Sequence, residues 1–597
     1  MKNKSFIQGA FPAISRRRFV TGVAAGGVLL GIPPLSNIAS AKNSVLVSKP
    51  TILQGNRFNL NIGYQPVNFT GEDIIATTVN NSIPAPVLRW KEGERVTLRV
   101  ANQLADDSSI HWHGIILPTN MDGVPGLSFK GIKPGEVYEY VFDVNQSGTY
   151  WYHSHSGFQE QTGMYGAIII DPIAPEPFSY DRDYVVLLSD WTDEVPEHVY
   201  SNLKKMSHYY NFRERTVNDL LKDTKENGLS TTWNNRRMWN QMRMSDRDIS
   251  DVTGYTYTFL MNGYSPTDGW VGLFNKNEKI RLRFINASAM TFFDVRIPGL
   301  RMTVVAADGQ YIQPVSVDEF RIGVAETYDV IVEPEGDTAY TLFAQSIDRS
   351  GYARGTLTTH PDQKASIPAM DRAPTLSHLD MGMGLHGNHG GHQGHQMSTA
   401  SAGMMNGGNL MGSGKAGYGS ATPISHAPTE FGPHVDMRAD TPAHRLNDPG
   451  VGLRNHLAKY DRTVLTYADI QSLYETKDQR EPSRELELHL TGNMSRYMWS
   501  INGVKFADAE PLVLKFGERV RITLVNDTMM NHPIHLHGMW SELETGDDQY
   551  IPRKHTIIVQ PGAKISYLVT ADAIGRWAYH CHLLYHMPGM FREVIVS

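Results

Sequence analysis

The stretch KFGERVRITLVN, residues 515–526, is a polar turn followed by a strand-like run of alternating residues that ends in asparagine. Two similar stretches occur earlier in the chain, KEGERVTLRVAN at 91–102 and NKNEKIRLRFIN at 275–286. Internal similarity of this kind indicates a repeated structural unit, and the alternation is typical of β-strands. We therefore expect three copies of one β-domain in the 597-residue chain.

A second repeated stretch follows each copy of the first. Its three forms are KPGEVYEYVFDVNQSGTYWYHSH (133–155), GVAETYDVIVEPEGDTAYTLFAQS (323–346) and QPGAKISYLVTADAIGRWAYHCH (560–582). Short strands rich in β-branched and aromatic residues, with Gly and Pro turns between them, are typical of β-sandwiches. We predict an all-β protein with three sandwich domains, at 43–172, 173–360 and 461–597, and a linker at 361–460.

The composition is that of an ordinary globular protein, with 41% hydrophobic and 20% charged residues. The net charge of −7 argues against nucleic acid or an anionic membrane as a partner. The chain has one cysteine, Cys581, so an internal disulfide is excluded. This thiol is therefore an inert core group, a metal ligand or a nucleophile.

The first 41 residues have the pattern of a segment that is removed after export. SRRRFV at 15–20 precedes a mild apolar run, and Ala39-Ser40-Ala41 is a small-residue cleavage pattern. The order of these features resembles a twin-arginine signal, which predicts a periplasmic protein; an ordinary basic signal peptide is the alternative. Because the apolar run is short and glycine-rich, we expect no stable insertion in the membrane.

The linker contains a segment of unusual composition at 378–414, with five histidines and six methionines among many glycines. It has few large apolar residues to bury, which predicts a disordered insert before the third domain. One interpretation is a flexible linker alone. The other is an additional site for Cu(I), since imidazole and thioether ligands suit copper.

Four His-x-His pairs lie at equivalent ends of the first and third repeats: His111/His113, His153/His155, His535/His537 and His580/His582. The middle repeat has no histidine at these positions. A lone histidine is more often a core residue, but four equivalent pairs are not explained by chance. We expect the first and third domains to hold metal and the second to act as a spacer.

Strand geometry separates the ligands around Cys581. Residues i and i+2 of a strand point to one face and residue i+1 points to the other. His580 and His582 therefore face away from Cys581, and the thiolate must bind a different metal ion from its neighbours.

His532 and His586 are the histidines that can join Cys581. His532 lies three residues before His535, so the two side chains have opposite parity, and His586 can return after a turn. A His₂Cys set with a methionine nearby is that of a blue-copper centre. The other eight imidazoles exceed the capacity of one ion and indicate a cluster of about three.

At these motifs the chain resembles the multicopper oxidases. HWHG (111–114), YHSH (152–155), HPIHLHG (532–538) and HCHLLYH (580–586) match that family in order and spacing. Stretches such as FLMNGYSPTDGW (259–270) resemble the periplasmic copper-resistance CopA type, and the resemblance covers nearly the whole mature chain. It implies cupredoxin-like Greek-key sandwiches and four copper ions.

The resemblance also implies roles for individual residues. Type 1 copper would be held by Cys581, His532 and His586, type 2 copper by His111 and His535, and the type 3 pair by His113, His153, His155, His537, His580 and His582. Asp122 would relay protons to reduced oxygen, since forming water consumes protons. Its alternative role is that of an Asp-Gly turn residue.

One position departs from the family pattern. Members with an axial methionine usually carry it ten residues after the cysteine, but here Phe591 holds that position and Met590 stands at nine. Either the Pro588-Gly589 turn lets Met590 bind type 1 copper, or the ion is three-coordinate beside Phe591. A phenylalanine would raise the reduction potential, and Met587 is a third candidate.

The substrate end of the sequence is less distinctive. Methionines that could receive Cu(I) are Met238, Met242, Met244, Met529, Met530 and Met539, unless they only fill the core. An acidic group at Glu542, Glu544, Asp547 and Asp548 could bind Cu(I) or form a solvated loop.

The leading hypothesis for function is oxidation of Cu(I) to Cu(II) coupled to reduction of dioxygen to water, in copper resistance. Cu(I) and dioxygen are then the substrates, and a companion outer-membrane copper-resistance protein is a partner that the resemblance implies. A laccase-like phenol oxidase and a copper-sequestering protein are the two alternatives.

Overall fold

A computed structural model describes residues 50–383 and 413–597. The predicted export signal and most of the Met/His-rich segment lie outside these ranges. In the described ranges the strands form six sheets, two in each of three successive sandwiches. The predicted all-β architecture, with its three repeated sandwiches, is confirmed.

The first sandwich has nine strands: β1 (Ile52–Gln54), β2 (Arg57–Val67), β3 (Ile74–Val79), β4 (Ala85–Lys91), β5 (Arg95–Asn102), β6 (His111–His113), β7 (Val137–Asp143), β8 (Gly148–His153) and β9 (Tyr165–Asp171). One sheet has the order β1-β4-β9-β8-β6 and the other β3-β2-β5-β7. Several strands that are neighbours in a sheet, such as β4 and β9, are distant in sequence, as Greek-key connections require.

The second sandwich has eleven strands: β10 (Arg182–Trp191), β11 (Thr258–Met261), β12 (Trp270–Leu273), β13 (Ile280–Asn286), β14 (Phe293–Arg296), β15 (Met302–Ala307), β16 (Gln310–Val317), β17 (Glu319–Ile322), β18 (Thr327–Val332), β19 (Tyr340–Ser346) and β20 (Tyr352–Thr358). Its sheets have the orders β11-β10-β13-β18-β15-β16 and β12-β20-β19-β14-β17.

The third sandwich repeats this plan with β21 (Arg484–Asn493), β22 (Met498–Ile501), β23 (Leu512–Leu514), β24 (Arg519–Asn526), β25 (His532–Leu536), β26 (Ser541–Leu543), β27 (Arg553–Lys554), β28 (Thr556–Val559), β29 (Lys564–Thr570), β30 (Gly575–Cys581) and β31 (Phe591–Val596). Its sheet orders are β22-β21-β24-β29-β26-β27 and β23-β31-β30-β25-β28.

Helices occur mainly in one insertion between β10 and β11. They are α1 (Pro196–Lys205), α2 (Val217–Asn227) and α3 (Leu229–Met242), and a short α4 (His456–Tyr460) lies in the linker. The repeat pattern did not predict them, because they are mostly polar and α2 buries no residue. None of the helices in the described ranges is long and apolar enough to cross a membrane.

The three copies of the opening repeat occupy one structural position. They form β5, β13 and β24, each of which lies inside a sheet. Each pairs in parallel with an earlier strand and antiparallel with the strand of the second repeat, which is β7, β18 or β29. The sequence repeat therefore reflects a repeated set of strand neighbours.

The asparagine that ends each copy fastens the loop that follows it. The Asn526 carboxamide donates to the carbonyls of Met530, at 2.7 Å, and Val559, at 2.9 Å, and accepts from the amide two residues on. Asn102 and Asn286 make the same three types of contact. All three are buried, so each side chain fixes the start of the next strand. In the first and third sandwiches that strand carries a histidine pair.

We expect Asn286→Ala to destabilise the protein by about 1–3 kcal/mol, because two carbonyls and one amide lose a buried hydrogen-bond partner. Chemical unfolding of the full chain measures this. The exposed strand residue Asn59 provides the matched control, since Asn59→Ala should leave the unfolding midpoint unchanged. Equal midpoints for the two variants would show that the asparagine does not fasten the loop.

Candidate metal centres

Strand pairing brings the histidine motifs of each sandwich together. In the first sandwich β6 and β8 are antiparallel, with His111 opposite His153. In the third, β25 and β30 are antiparallel, with His535 opposite His580. The equivalent strands of the second sandwich, β14 and β19, are also antiparallel and pair Phe293 with Ser346. The same strand pairing thus occurs there without histidine ligands.

The eight histidines of the four pairs form one group, here called the imidazole cluster: His111, His113, His153, His155, His535, His537, His580 and His582. Rings from the first and third sandwiches meet in this cluster. The Nε2 atoms of His153 and His582 lie 3.3 Å apart, and those of His155 and His580 lie 3.4 Å apart. His537 Nε2 lies 3.1 Å from His580 Nε2. The cluster thus requires both sandwiches.

Hydrogen bonds decide which ring nitrogen of the cluster carries a proton. Carbonyl oxygens face Nδ1 of four rings: His111, His153, His535 and His580. A carbonyl can only accept, so Nδ1 of each ring carries the hydrogen and, in the neutral ring, Nε2 has a free lone pair. These outer contacts orient the rings as in metal sites.

Ring nitrogens without hydrogen-bond partners indicate whether metal ions fit this cluster. Nε2 of His111 and of His535, and Nδ1 of His113, have no hydrogen-bond partner in the described residues although they are buried. In three other ring pairs, the two Nε2 atoms face each other at 3.1–3.4 Å. Buried polar atoms normally have partners, and facing lone pairs repel each other. A group of cations at the centre satisfies both conditions, so the residues fit a metal cluster.

Burial also sets the charge of the rings. It lowers the pKa of His113, His153, His155, His537 and His582 well below the ordinary value, and the neighbouring imidazoles lower it further. Burial lowers the pKa of His580 to about 4. These rings are therefore neutral at neutral pH, which is the form that binds metal.

Asp122 bridges the two sandwiches beside the imidazole cluster. Its Oδ2 accepts from His537 Nδ1 at 2.8 Å, and its carbonyl accepts from His111 Nδ1 at 2.8 Å. Its Oδ1 is buried without a hydrogen-bond partner. The next residue, Gly123, has φ 78°, and a Cβ there would lie 1.8 Å from the Ile110 carbonyl oxygen. Asp122 is therefore both the aspartate of an Asp-Gly turn and a residue that contacts the imidazole cluster.

Cys581, His532 and His586 form a second group, here called the thiolate cluster. Cys581 Sγ lies 3.5 Å from His532 Nδ1 and 3.9 Å from His586 Nδ1. The far nitrogens of the rings contact Thr528 Oγ1 and Asp251 Oδ2, both at 2.7 Å. Burial raises the pKa of the Cys581 thiol, so a thiolate here needs a cation, which the three converging atoms fit.

The register of β30 and β31 separates the axial candidates. His580 pairs with Phe591, and directly paired residues of antiparallel strands share a face. The two rings stack, with centroids 5.5 Å apart and planes at 9°. The Cys581 amide donates to the Met590 carbonyl at 3.0 Å, and Met590 is buried. The register therefore turns Phe591 toward the imidazole side. Met590 directly precedes β31, beside the Cys581 backbone, and Met587 is half-buried.

Three residues that contact the clusters were not found from the sequence. His555 Nδ1 lies 3.1 Å from His113 Nε2, and Glu160 Oε2 lies 2.7 Å from His153 Nδ1. Asp251, which contacts the thiolate cluster, comes from the second sandwich. Each is a single residue outside any motif, and the first and third are hundreds of residues from their partners, so no local pattern marks them.

The methionines proposed at the substrate end differ in position. Met529, Met530 and Met539 are buried in the core, as the core-filling interpretation expects. Met242 and Met244 are half-buried against it. The side chain of Met238 and residues 384–412 of the Met/His-rich segment lie outside the described residues.

The acidic group after His532 divides into two buried glutamates and two partly exposed aspartates, Asp547 and Asp548. Glu542 and Glu544 are buried and form ion pairs with Arg519, at 2.7 Å, and Arg521, at 2.8 Å. Asp548 pairs with Lys415. The sequence could not indicate this, because the arginines belong to β24, which is separated from β26 by β29 in the sheet.

Known proteins share both the sequence and this architecture. Three family models described as multicopper oxidase match residues 61–175, 182–362 and 479–597. Copper resistance protein A of Escherichia coli is 55% identical, covering 98% of this chain and 99% of that protein. Copper resistance protein A of Pseudomonas syringae pv. tomato is also 55% identical and covers the same shares of the two chains.

Solved structures support the fold. The chain matches Fet3p, a multicopper oxidase that functions in iron import, with a TM-score of 0.60 and 18% identity over 91% of each chain. It matches a laccase from Botrytis aclada with a TM-score of 0.59 and 18% identity, over 92% of this chain and 89% of the laccase. The cupredoxin-like fold is confirmed. The chain belongs to the multicopper oxidase family.

Proposed function

We propose that this multicopper oxidase oxidises Cu(I) to Cu(II) and reduces dioxygen to water, and that it acts in copper resistance in the periplasm. The observation that carries the proposal is the pair of clusters joined through residues 580–582, in a chain 55% identical to copper resistance protein A. A protein that only stores copper has no need of a thiolate centre connected to a second cluster.

Multicopper oxidases bind four copper ions, which supply one-electron oxidation and reduction. We assign the ligands as the resemblance implies. Type 1 copper would be held by His532, Cys581, His586 and Met590, type 2 by His111 and His535, and the type 3 pair by His113, His153, His155, His537, His580 and His582. The free ring nitrogens and the register of β31 support this assignment.

The chain itself connects the two centres. The side chain of Cys581 belongs to the thiolate cluster, while the rings of His580 and His582, its covalent neighbours, belong to the imidazole cluster. The two groups are therefore one residue of backbone apart. All ligands of both groups are buried except His155, which is half-buried.

Asp122 is positioned to hold a proton. Its Oδ2 and its carbonyl orient His537 and His111. Oδ1 lies 3.3 Å from His111 Nδ1 and has no hydrogen-bond partner in the described residues. A carboxylate that keeps one oxygen free beside the cluster can donate or accept a proton there. We propose that Oδ1 passes protons to reduced oxygen.

The proposal also covers export of the protein, the limits of its domains and its partner. SRRRFV at 15–20 supports export by the twin-arginine route with removal of residues 1–41. We propose domains at 43–172, 173–360 and 461–597, with the linker at 361–460. A companion outer-membrane copper-resistance protein is the proposed partner, and the Met/His-rich segment is proposed to bind additional Cu(I).

Oxygen uptake by the copper-loaded mature protein tests the activity. We expect faster uptake with stabilised Cu(I) than with a simple phenol at equal concentration, and uptake at background level in Cys581→Ser, because the thiolate ligand is lost. Uptake with the phenol alone would identify a laccase-like oxidase. No uptake with either substrate at full copper occupancy would indicate a copper-binding protein.

Substituting the axial candidates tests the ligand assignment. Met590→Leu should raise the reduction potential of the type 1 centre by roughly 60 mV, a tenfold change in a one-electron equilibrium constant. Redox titration of its absorption measures this. Met587→Leu is the matched control and should leave the potential unchanged. A shift in the control variant alone would move the axial assignment to Met587.

Asp122→Asn tests proton delivery. We expect kcat to fall about 100-fold with copper content retained, because an amide neither releases nor accepts a proton near neutral pH. A larger solvent deuterium isotope effect on kcat should accompany the loss. Asp107→Asn, an exposed residue paired with Lys133, is the control and should behave like the natural protein. If copper content instead falls in proportion to rate, Asp122 only positions the two histidines.

A further inference from the structure

Four metal-binding side chains meet at a place that none of the histidine motifs predicts. They are His426, Glu430, His489 and Asp527, here called the linker cluster. His426 and Glu430 lie in the linker, just after the Met/His-rich segment. His489 lies on β21, and Asp527 follows β24. The cluster therefore joins the linker to the third sandwich.

The ligand atoms of the linker cluster converge on one point. His426 Nδ1 lies 2.8 Å from Glu430 Oε2, and His489 Nδ1 lies 2.7 Å from Asp527 Oδ2. The crossed distances are 3.6 Å, from His426 to Asp527, and 3.5 Å, from His489 to Glu430. Four ligands at 2.0–2.2 Å from a tetrahedral ion lie about 3.3 Å from one another. Movements of a few tenths of an ångström would therefore admit an ion.

The charge of the cluster is unusual for this protein. Glu430 and Asp527 are 1% and 0% exposed. In the described residues, their ion-pair partners are the two histidines and no lysine or arginine. The buried Asp294, by comparison, contacts two arginines. Two buried carboxylates need positive charge nearby, and here either protons on the imidazoles or a divalent ion must supply it.

Outer contacts orient the ligands as they do in metal sites. Glu487 Oε1 lies 3.2 Å from His489 Nε2, on the ring edge opposite the cluster. The Ala439 amide donates to Asp527 Oδ1 at 2.7 Å, which leaves Oδ2 directed at the cluster. A carboxylate behind a ligating histidine fixes the ring and raises its basicity.

We propose that the linker cluster binds one divalent ion of the Cu(II) or Zn(II) type, in addition to the four copper ions of the oxidase centres. Two imidazoles and two carboxylates form a borderline N₂O₂ set. The imidazoles disfavour Mg²⁺ and Ca²⁺, and the absence of sulfur from the four ligands disfavours Cu(I). His426 is the most exposed ligand, with 16% of its side chain accessible, and marks the entrance. The ion fastens the linker to the third sandwich.

The competing explanation is a proton-bridged cluster. Burial lowers the pKa of His489, but its hydrogen bonds with Asp527 and Glu487 outweigh burial and raise the value to about 9. A protonated His489 could therefore supply part of the charge without any ion. The two explanations differ in whether added metal binds, so metal binding is the decisive measurement.

The test uses the full-length mature protein with its four copper ions in place and Zn(II) as the probe. Glu430→Gln and His426→Gln each remove one ligand with little change in volume. We expect equilibrium dialysis to show one zinc equivalent fewer in each variant than in the natural protein, with binding at this site at least tenfold weaker. The Met/His-rich segment is present in every protein and contributes equally. Zinc should raise the unfolding midpoint less in both variants.

His456→Gln is the matched control. His456 lies in the same linker and its Nδ1 is 2.7 Å from Glu319 Oε2, but Arg462 also contacts that carboxylate, at 3.2 Å. Its zinc content should equal that of the natural protein. Equal zinc content in all four proteins would overturn the proposal in favour of the proton-bridged cluster. The unfolding midpoint without added zinc shows that each variant is folded. Oxygen uptake is measured separately, so failure here and failure of the oxidase function are distinguishable.

Discussion

Alternation of side chains along an extended backbone is the constraint on which the rest of the site depends. Residues 580–582 place two imidazoles on one face and a thiol on the other, because successive residues of a strand point in opposite directions. One short segment thus belongs to two ligand groups and fixes their separation. Every other ligand must reach one of these two faces, which the pairing of β25 with β30 achieves for His532 and His535.

The second sandwich has no ligand in either cluster, but it supports both. Its Asp251 contacts His586. Its Asp308 and Glu326 each lie 3.0 Å from the buried ammonium of Lys554 in the third sandwich. Asp308 also accepts from the His555 amide at 3.1 Å. Because His555 contacts the imidazole cluster, this ion-pair network transmits the position of the second sandwich to the site.

The repeated asparagine links folding to chemistry in the same way in all three sandwiches. It joins a central strand to the loop before β6, β14 or β25, and only two of these strands carry histidines. The loop geometry is the same in all three sandwiches, but the residues that follow it differ. Two sandwiches therefore carry metal-binding histidines, and the third supports them. In the third sandwich the same loop also presents Asp527 to the linker cluster.

The sequence by itself determined the features that depend on short-range periodicity. The threefold repeat predicted the three sandwiches, and parity along single strands separated the cysteine from its flanking histidines. Tertiary structure alone decided the contacts between distant segments. These include the partners Asp251 and His555, and the arginines that pair with the acidic group after His532. They also include the register that turns Phe591 away from Cys581, and the linker cluster. Only the tertiary structure showed the helices between β10 and β11, since these mostly polar segments do not belong to the sequence repeat. Such features depend on packing and register between chain segments far apart in sequence, and no local pattern of residues encodes that information.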